Sequence, residues 1–476
     1  MRSSTFLAAV LAVAAVLFAL GLLASRSGSA YLVFAGIVVL QYIVLATAWN
    51  ILGGYCGYVN FGTGAFFAMG AYAVIALERL GRNPTRWLSD THLEFLVPLF
   101  PLSLPTMIVI GGIVAGIVGL GMGYLTLRLR GVFFAIATLA LAVVLHTFVV
   151  NWDFVGGSRG HTVIRPARVA LGPFALTSIE YLFLLMIVLA VLAVWVARVI
   201  ERSRLGLGFA SIRDDELAAE ASGVPTLRLK LIATTVSGAL MGMAGAPLPF
   251  YLGYVEPNTA FGLGYSVNAI AMPMIGGATT WAGPLIGAVL LGTLQQIASV
   301  SISSVWNLLI VGLLLIAFVI AAPVGIVGLV QEFLRTAAPT RLASNAVLLI
   351  LVAGFCFVVG ALGIIFSLEQ IRQAIQAGSA GLALLGVSGL VAGALCLTGS
   401  WGLLKLQSWA PRLASAGFLA VIAVAGANLW LEWKGVVAQS LTIGVSAAAI
   451  LFLQMPAVRL LYRGDAPAKA AKAVPA

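Results

Sequence analysis

Long apolar runs follow one another along this chain, and most of them contain no charge. Residues 104–127, for example, hold no charged side chain at all. Lipid offers no hydrogen-bond partner to a backbone N–H or C=O, so a segment of this kind must satisfy its own backbone, as a helix or within a closed barrel. The runs exceed the ~10 residues of a barrel strand and reach the ~20 that a helix needs to cross the hydrocarbon core. Hydrophobic residues make up 62% of the chain and charged residues 9%, against roughly 25% charge in a soluble domain. The fold class is therefore all-α, a polytopic transmembrane helical bundle. Spans are expected near 7–24, 31–52, 57–77, 104–127, 132–150, 178–200, 231–253, 265–282, 284–300 and 303–321. Residues 265–300 also fit a re-entrant pair. Four more spans are expected near 345–366, 379–399, 413–431 and 438–454, giving about 10 and then about 4. The 18 apolar residues of the first run favour a retained helix over a cleaved signal peptide.

One stretch breaks the pattern. From Glu201 to Lys230 the sequence is crowded with charge. Ser211 followed by Asp214 has capping-box spacing, and Asp214, Asp215 and Glu216 would fill a first turn, where acidic groups suit the helix dipole. Gly223 then stands at C′ with Pro225 after it. The expectation is one helix of about 11 residues, about 16 Å long, which must lie at the membrane surface because it is too short and too charged to cross. Placing this segment in the cytoplasm puts most of the 26 Lys and Arg on that side, as the positive-inside rule requires, and puts both termini there too. Arg79, Arg82 and Arg86 are the exception. The net charge of +11 then reads as topology and contact with anionic lipid, with no nucleic acid implied.

Catalytic signatures are missing. There is no phosphate-cradling G-x-x-x-x-G-K-[ST] and no H-E-x-x-H, and His92, His146 and His161 are dispersed. His146, inside a span, reads as a hydrogen-bonded packing residue. Cys56, Cys356 and Cys396 have no metal-ligand spacing and read as buried small residues. No acidic or basic residue falls at mid-span, which argues against an ion-coupled carrier. No catalytic residue, metal ligand or cofactor is expected.

Glycine, with 53 residues, offers close helix contacts at Gly53/Gly57, Gly112/Gly116, Gly119/Gly123, Gly238/Gly242 and Gly283/Gly287. Paired glycines also interrupt two spans, at Gly53-Gly54 and Gly276-Gly277, and each pair is followed by polar residues. Broken helices often line a solute path, which makes Tyr58, Asn60 and Thr63 candidates there, with Thr279 and Thr280. Tight turns between hairpin helices explain the same pattern equally well.

Four blocks carry a resemblance: NILGGYCGYVNFGTGAFFAMGAYAV at 50–74; LRLRGVFFAIATLAL at 127–141 with NWDFVGGSRG at 151–160; SRLGLGFASIRDDELAAEASGVPTLRLKLIATTVSGALMGMAGA at 203–246; and IGGATTWAGPLIGAVLLG at 275–292. Over roughly 30–330 the chain resembles the LIV-type permease subunits of bacterial ABC importers for branched-chain amino acids. The resemblance implies a multi-pass protein of the bacterial inner membrane that carries no catalysis. It implies two ATP-binding subunits, a second permease subunit, a periplasmic or lipid-anchored solute-binding protein and a small-molecule solute. It also implies that Ser211, Arg213, Asp214, Glu216, Ala218, Ala219, Glu220 and Gly223 belong to the ATPase-coupling helix, with Ala218 and Ala219 at the closest approach. Leu217 stands where the coupling pattern has Glu. Ala142–His146 replaces a G-E-I-V-R-like run, which leaves urea and short amides open as solutes beside amino acids; a stand-alone secondary carrier is the other reading. The expected domains are a permease domain at 1–330, a linker at 331–344, a four-helix membrane segment at 345–463 and a disordered tail at 464–476.

Overall fold

A computed structural model of the protein describes residues 3–26, 30–82, 97 and 100–301, less 127–128, 165–167 and 172–173. It also describes 380–432 apart from 405–406 and 408, and scattered short pieces of 312–375 and 446–454. The spans expected at 303–321, 345–366 and 438–454, the linker and the tail lie almost wholly outside the described residues. The contacts fall into two units, residues 1–293 with 315–327, and 294–314 with 328–476.

The first unit is helical. Helix α1 (Ser3–Arg26) precedes α2 (Ala30–Asn50), which runs on through a π-helical turn at Ile51–Tyr55. Then come α3 (Thr63–Arg82), α4 (Leu104–Thr126), α5 (Val132–Val150) and α6 (Ser178–Glu201). The charged segment forms α7 (Arg204–Asp214) and α8 (Glu216–Ala221). Helix α9 (Thr226–Gly245) continues past Pro247 into α10 (Leu248–Leu252), and α11 (Pro257–Ala260) leads to α12 (Leu263–Gly276) and α13 (Ala282–Ser301), whose residues from Leu294 on are counted in the second unit. Sheet is confined to β1 (His161–Thr162) with β4 (Tyr254–Val255) and the hairpin β2 (Arg168–Leu171) with β3 (Phe174–Thr177), both antiparallel. In the second unit α14 (Ala380–Leu404) and α15 (Ala410–Glu432) form a tight antiparallel hairpin, with Gly399 against Ala414 and Gly417 against Cys396.

Among the described residues eight helices are long and apolar enough to cross a membrane. Most coincide with expected spans, one is displaced, and one expected span is too short to stand among the eight. The helix expected at 57–77 begins only at Thr63, because Gly57 takes φ +80 and the chain then runs without regular structure to Gly62. The 265–282 span shortens to α12, whose 14 residues cover about 21 Å, less than the ~30 Å hydrocarbon core.

Helix α9 lies at the centre, packed on α2, α3 and α4. Apolar side chains gain little by leaving lipid for one another, so close backbone approach must do the holding. A Cβ on Gly70 of α3 would strike the backbone of Gly242 on α9, and one on Gly245 would strike the Phe67 carbonyl. Gly238 meets the backbone of α4 at Ala115, and Gly112 and Gly116 meet α9 at Met243 and Ala239. The small-residue pairs on α4 and α9 are thus helix contacts. Gly53 and Gly57 are not: Gly53 packs under the ring of its own Trp49, and Gly57 lies outside the helix against Arg213. Cys56, Cys356 and Cys396 are buried thiols. His146 is half-buried, 3.1 Å from the Asn258 side-chain oxygen and edge-on to Phe261.

Candidate functional site

The charged segment folds as two helices, and the cap expected at Ser211 is not there. Ser211 lies in the last turns of α7, where its hydroxyl donates to the Gly208 carbonyl at 2.8 Å. The break falls at Asp215, whose extended backbone frees its carboxylate to accept the N–H groups of Leu217 and Ala218 at 2.9 and 3.1 Å. A carboxylate caps a helix start as well as a hydroxyl does, and Asp215 was hidden among three consecutive acids. Asp214 is consequently the exposed end of α7, 3.3 Å from Arg213. Helix α8 closes on a Schellman motif: Val224 N–H donates to the Ala219 carbonyl, Gly223 N–H donates to that of Glu220, and Gly223 sits at φ +82.

Glu216 opens α8 and points into the bundle. Its carboxylate accepts from Lys230 Nζ at 2.6 Å and from the Tyr58 hydroxyl, with Arg130 Nε 3.6 Å away. Lys230, on α9, is 3% exposed; its ammonium also donates to the Tyr58 hydroxyl at 3.2 Å and lies 4.8 Å from the Tyr58 ring centroid. Phe134 of α5 backs that ring edge-on at 5.0 Å. Glu220, one turn on, accepts from Arg130 Nη2 at 3.0 Å and from Thr226 Oγ1 at 2.8 Å. A short helix is thereby tied to the α2–α3 connection, the start of α5 and the start of α9. Burial pushes the Glu216 carboxyl up, but the hydrogen bonds from Lys230 and Tyr58 and the nearby positive charges outweigh it, and its pKa lies below the ordinary glutamate value. Arg213 adds a long contact to the Gly54 carbonyl at 3.5 Å.

The outward face of α8 carries Leu217, Ala218 and Ala221, all exposed, whereas Ala219 is 5% exposed and packs inward. The two alanines expected side by side at a partner's closest approach are therefore divided between opposite faces.

The two glycine breaks come together. A Cβ on Gly54 would strike the Ala278 carbonyl, and Asn50 Nδ2 donates to the Thr280 carbonyl at 3.2 Å. Thr280 Oγ1 accepts from Gly283 N–H, and Thr279 is exposed. Glu201 fixes both breaks from the side, accepting from Trp281 N–H at 2.6 Å and the Tyr55 hydroxyl at 3.2 Å. Asn60 lies elsewhere, in the irregular connection to α3, and Thr63 is the first residue of α3. Tyr58, Asn60 and Gly62 of that stretch are buried beside helices, so backbone polar groups there need partners. The Asn60 carbonyl accepts from Trp49 Nε1 and Thr63 Oγ1, and Asn60 Oδ1 accepts from Gly62 N–H. Phe61 N–H donates to Thr138 Oγ1, and the Phe61 carbonyl accepts from Ser266. Tyr58 joins the Glu216 cluster instead. Sequence reasoning missed Arg130, Lys230, Glu201 and Ser266. Lys230 carried a signal, since a cation one turn into an apolar helix demands an acidic partner.

Residues 31–319 match the sequence profile of the family described as branched-chain amino acid transport system / permease component. The chain belongs to that family. Among its relatives is the LivM permease protein of the high-affinity branched-chain amino acid transport system of Escherichia coli (strain K12), 26% identical over 317 residues, 62% of this chain and 69% of the relative. A probable branched-chain amino acid transport permease protein, LivH of Methanocaldococcus jannaschii, is 25% identical over 283 residues, 56% of this chain and 82% of that one. The ribose import permease protein RbsC of Bacillus subtilis (strain 168) shares 29% over 140 residues, 28% of this chain and 42% of its own. No solved structure matches. The match takes in the whole Glu216 cluster and both glycine breaks of this multi-pass permease, and it stops before the α14–α15 hairpin.

Proposed function

We propose that this permease forms half of the translocation path of a binding-protein-dependent ABC importer for branched-chain or related small amino acids. A second permease subunit supplies the other half, and a periplasmic or lipid-anchored binding protein delivers the solute. Two separate ATP-binding subunits supply the energy, since the chain has no phosphate-cradling loop of its own. The protein sits in the bacterial inner membrane with both termini and the 201–230 segment in the cytoplasm.

The single observation that carries this reading is the Glu216 cluster. A helix of six residues has no core of its own, yet α8 is fixed to three parts of the bundle while its Leu217–Ala218–Ala221 face is left open. A subunit that grips that face moves α9 directly through Lys230, and α9 packs on α2, α3 and α4. The ATPases then bias two arrangements of the bundle by holding α8 differently in each. Asn60, in the unwound stretch before α3, and Thr63, at the start of α3, line the path in this proposal, while Tyr58 ties that stretch to α8. Thr279 and Thr280 belong to the second break, at the same end of the path.

The test is Ala218→Arg in the assembled transporter in proteoliposomes. The expected outcome is loss of ATP-driven uptake with the permease still present in the membrane in normal amount. Undiminished uptake, or uptake by the chain alone without ATP, overturns the proposal. Ala219→Arg buries its charge and is expected to lower the amount of folded protein instead.

A further inference from the structure

Amide and phenol side chains from three helices meet inside the bundle, away from the Glu216 cluster. Gln41 and Tyr42 come from α2, Tyr251 from α10, and Tyr265 and Asn268 from one face of α12. The Tyr251 hydroxyl donates to Gln41 Oε1 at 2.7 Å, Gln41 Nε2 donates to the Ala244 carbonyl at 2.8 Å, and Asn268 Nδ2 donates to the Tyr42 hydroxyl at 3.2 Å. Tyr251 also lies within electrostatic range of Tyr42 and Tyr265. Gln41, Tyr251 and Asn268 are buried. From Gln41 to Asn50, at the first glycine break, α2 covers about 14 Å, close to half of the ~30 Å hydrocarbon core. The cluster therefore stands near mid-membrane.

The helices that build it are discontinuous. Helix α9 is interrupted at Ala246–Pro247 before α10, and α12 is too short to span. Transporters typically form their solute sites at this depth from helices of this kind. The walls are aromatic: Phe67 stacks on Tyr265 at 4.2 Å, and Phe34 meets Tyr251 edge-on at 5.8 Å. Further along α3, Tyr72 is fully buried beside Phe261, and its hydroxyl has no hydrogen-bond partner. For packing alone that oxygen is a cost.

The polar groups of the cluster are all neutral, and each amide or phenol can both donate and accept. They offer no counter-charge to a solute with net charge, which would be costly to hold at this depth. A zwitterion brings both charges itself. Its carboxylate can accept from phenol O–H and amide N–H, and its ammonium can donate to amide and phenol oxygens.

We infer that the Gln41–Tyr251 and Asn268–Tyr42 pairs form the station at which a zwitterionic amino acid with an aliphatic side chain rests midway along the path, an inference that rests on the transport role proposed above. In the arrangement seen here the pairs close on themselves. Parting α2 from α10 and α12 turns the same donors and acceptors to the solute, with its alkyl chain against Phe67 and Phe34.

The test uses the assembled transporter in proteoliposomes with its binding protein saturated with leucine, and reads leucine uptake and ATP hydrolysis side by side. Asn268→Leu removes the amide at nearly constant volume; Tyr251→Phe removes a single oxygen should the first variant fail to fold. Each is expected to lower leucine uptake about tenfold while ATP hydrolysis changes by less than about twofold. A merely structural role would lower both together. Equal loss of uptake and hydrolysis, or unchanged uptake, overturns the inference. So does a wild-type transporter that moves urea with ATP but not leucine, a result that leaves the importer reading standing. A wild-type transporter that moves neither solute overturns the transport reading and this inference with it.

Discussion

Gly242 and Lys230 belong to the same helix, α9, and hold it in place by opposite means. At Gly242 there is no side chain: a Cβ there would strike the Ala115 methyl and the Gly111 carbonyl of α4, and Gly70 of α3 lies so close to the Gly242 backbone that no Cβ fits on it either. At Lys230 a long side chain reaches a carboxylate on a different helix through a buried hydrogen-bonded pair. The first contact tolerates almost no change of shape, because its attraction comes from many short-range atomic contacts. The second fixes a direction: a buried charge pair adds little net stability, but losing one partner leaves the other stranded. The glycine contact therefore sets where α9 lies, and the ion pair sets which short helix is tied to it.

The largest effect expected is at the glycine contact. Gly70→Leu should cost more than about 4 kcal/mol, as exceptional core lesions do, leaving little monodisperse protein on detergent size-exclusion. A well-folded Gly70→Leu protein would mean that α3 and α9 can separate cheaply. Next comes Lys230→Met, expected to cost about 2 kcal/mol, because the part-buried Glu216 loses its short contact and keeps only the longer one to Arg130. Adding Glu216→Gln should restore part of that loss, and a double-mutant cycle from thermal melts measures the coupling. Additive losses would reduce the cluster to ordinary packing.

Acid should separate the two regions further. The Glu216 pKa is lower in the folded protein than the ordinary value. Its contribution to stability is accordingly present above the unfolded glutamate pKa of about 4.3 and fades as pH falls through the lower folded value. Melting temperature should decline there, and Glu216→Gln should flatten the decline, while glycine-packing variants keep the wild-type slope. The smallest effect is Asp215→Ala, about 1 kcal/mol for a lost N-cap. It should fray α8 and reduce ATP-driven uptake more than it lowers the melting temperature, with Asp215→Asn close to wild type.

What the sequence determined was whatever depends on local chemistry. A helix in lipid satisfies its own backbone, so runs of apolar residues located α2, α4, α5 and α6 directly. Small residues four apart marked the faces of α4 and α9 that touch, and the density of charge set most of 201–230 apart from the long apolar helices. The tertiary structure decided the pairings. The partners of Glu216 are Tyr58, 158 residues away, and Lys230, 14 residues away across a turn, and no periodicity announces a contact of that kind. The cap moved to Asp215 because Ser211 is needed inside α7, and Ala219 turned inward because the Glu216 contacts fix the rotation of α8. The two glycine breaks looked alike in sequence, but only packing brings Gly54 against Ala278, since backbone contact depends on where whole helices lie and not on what any one of them is made of.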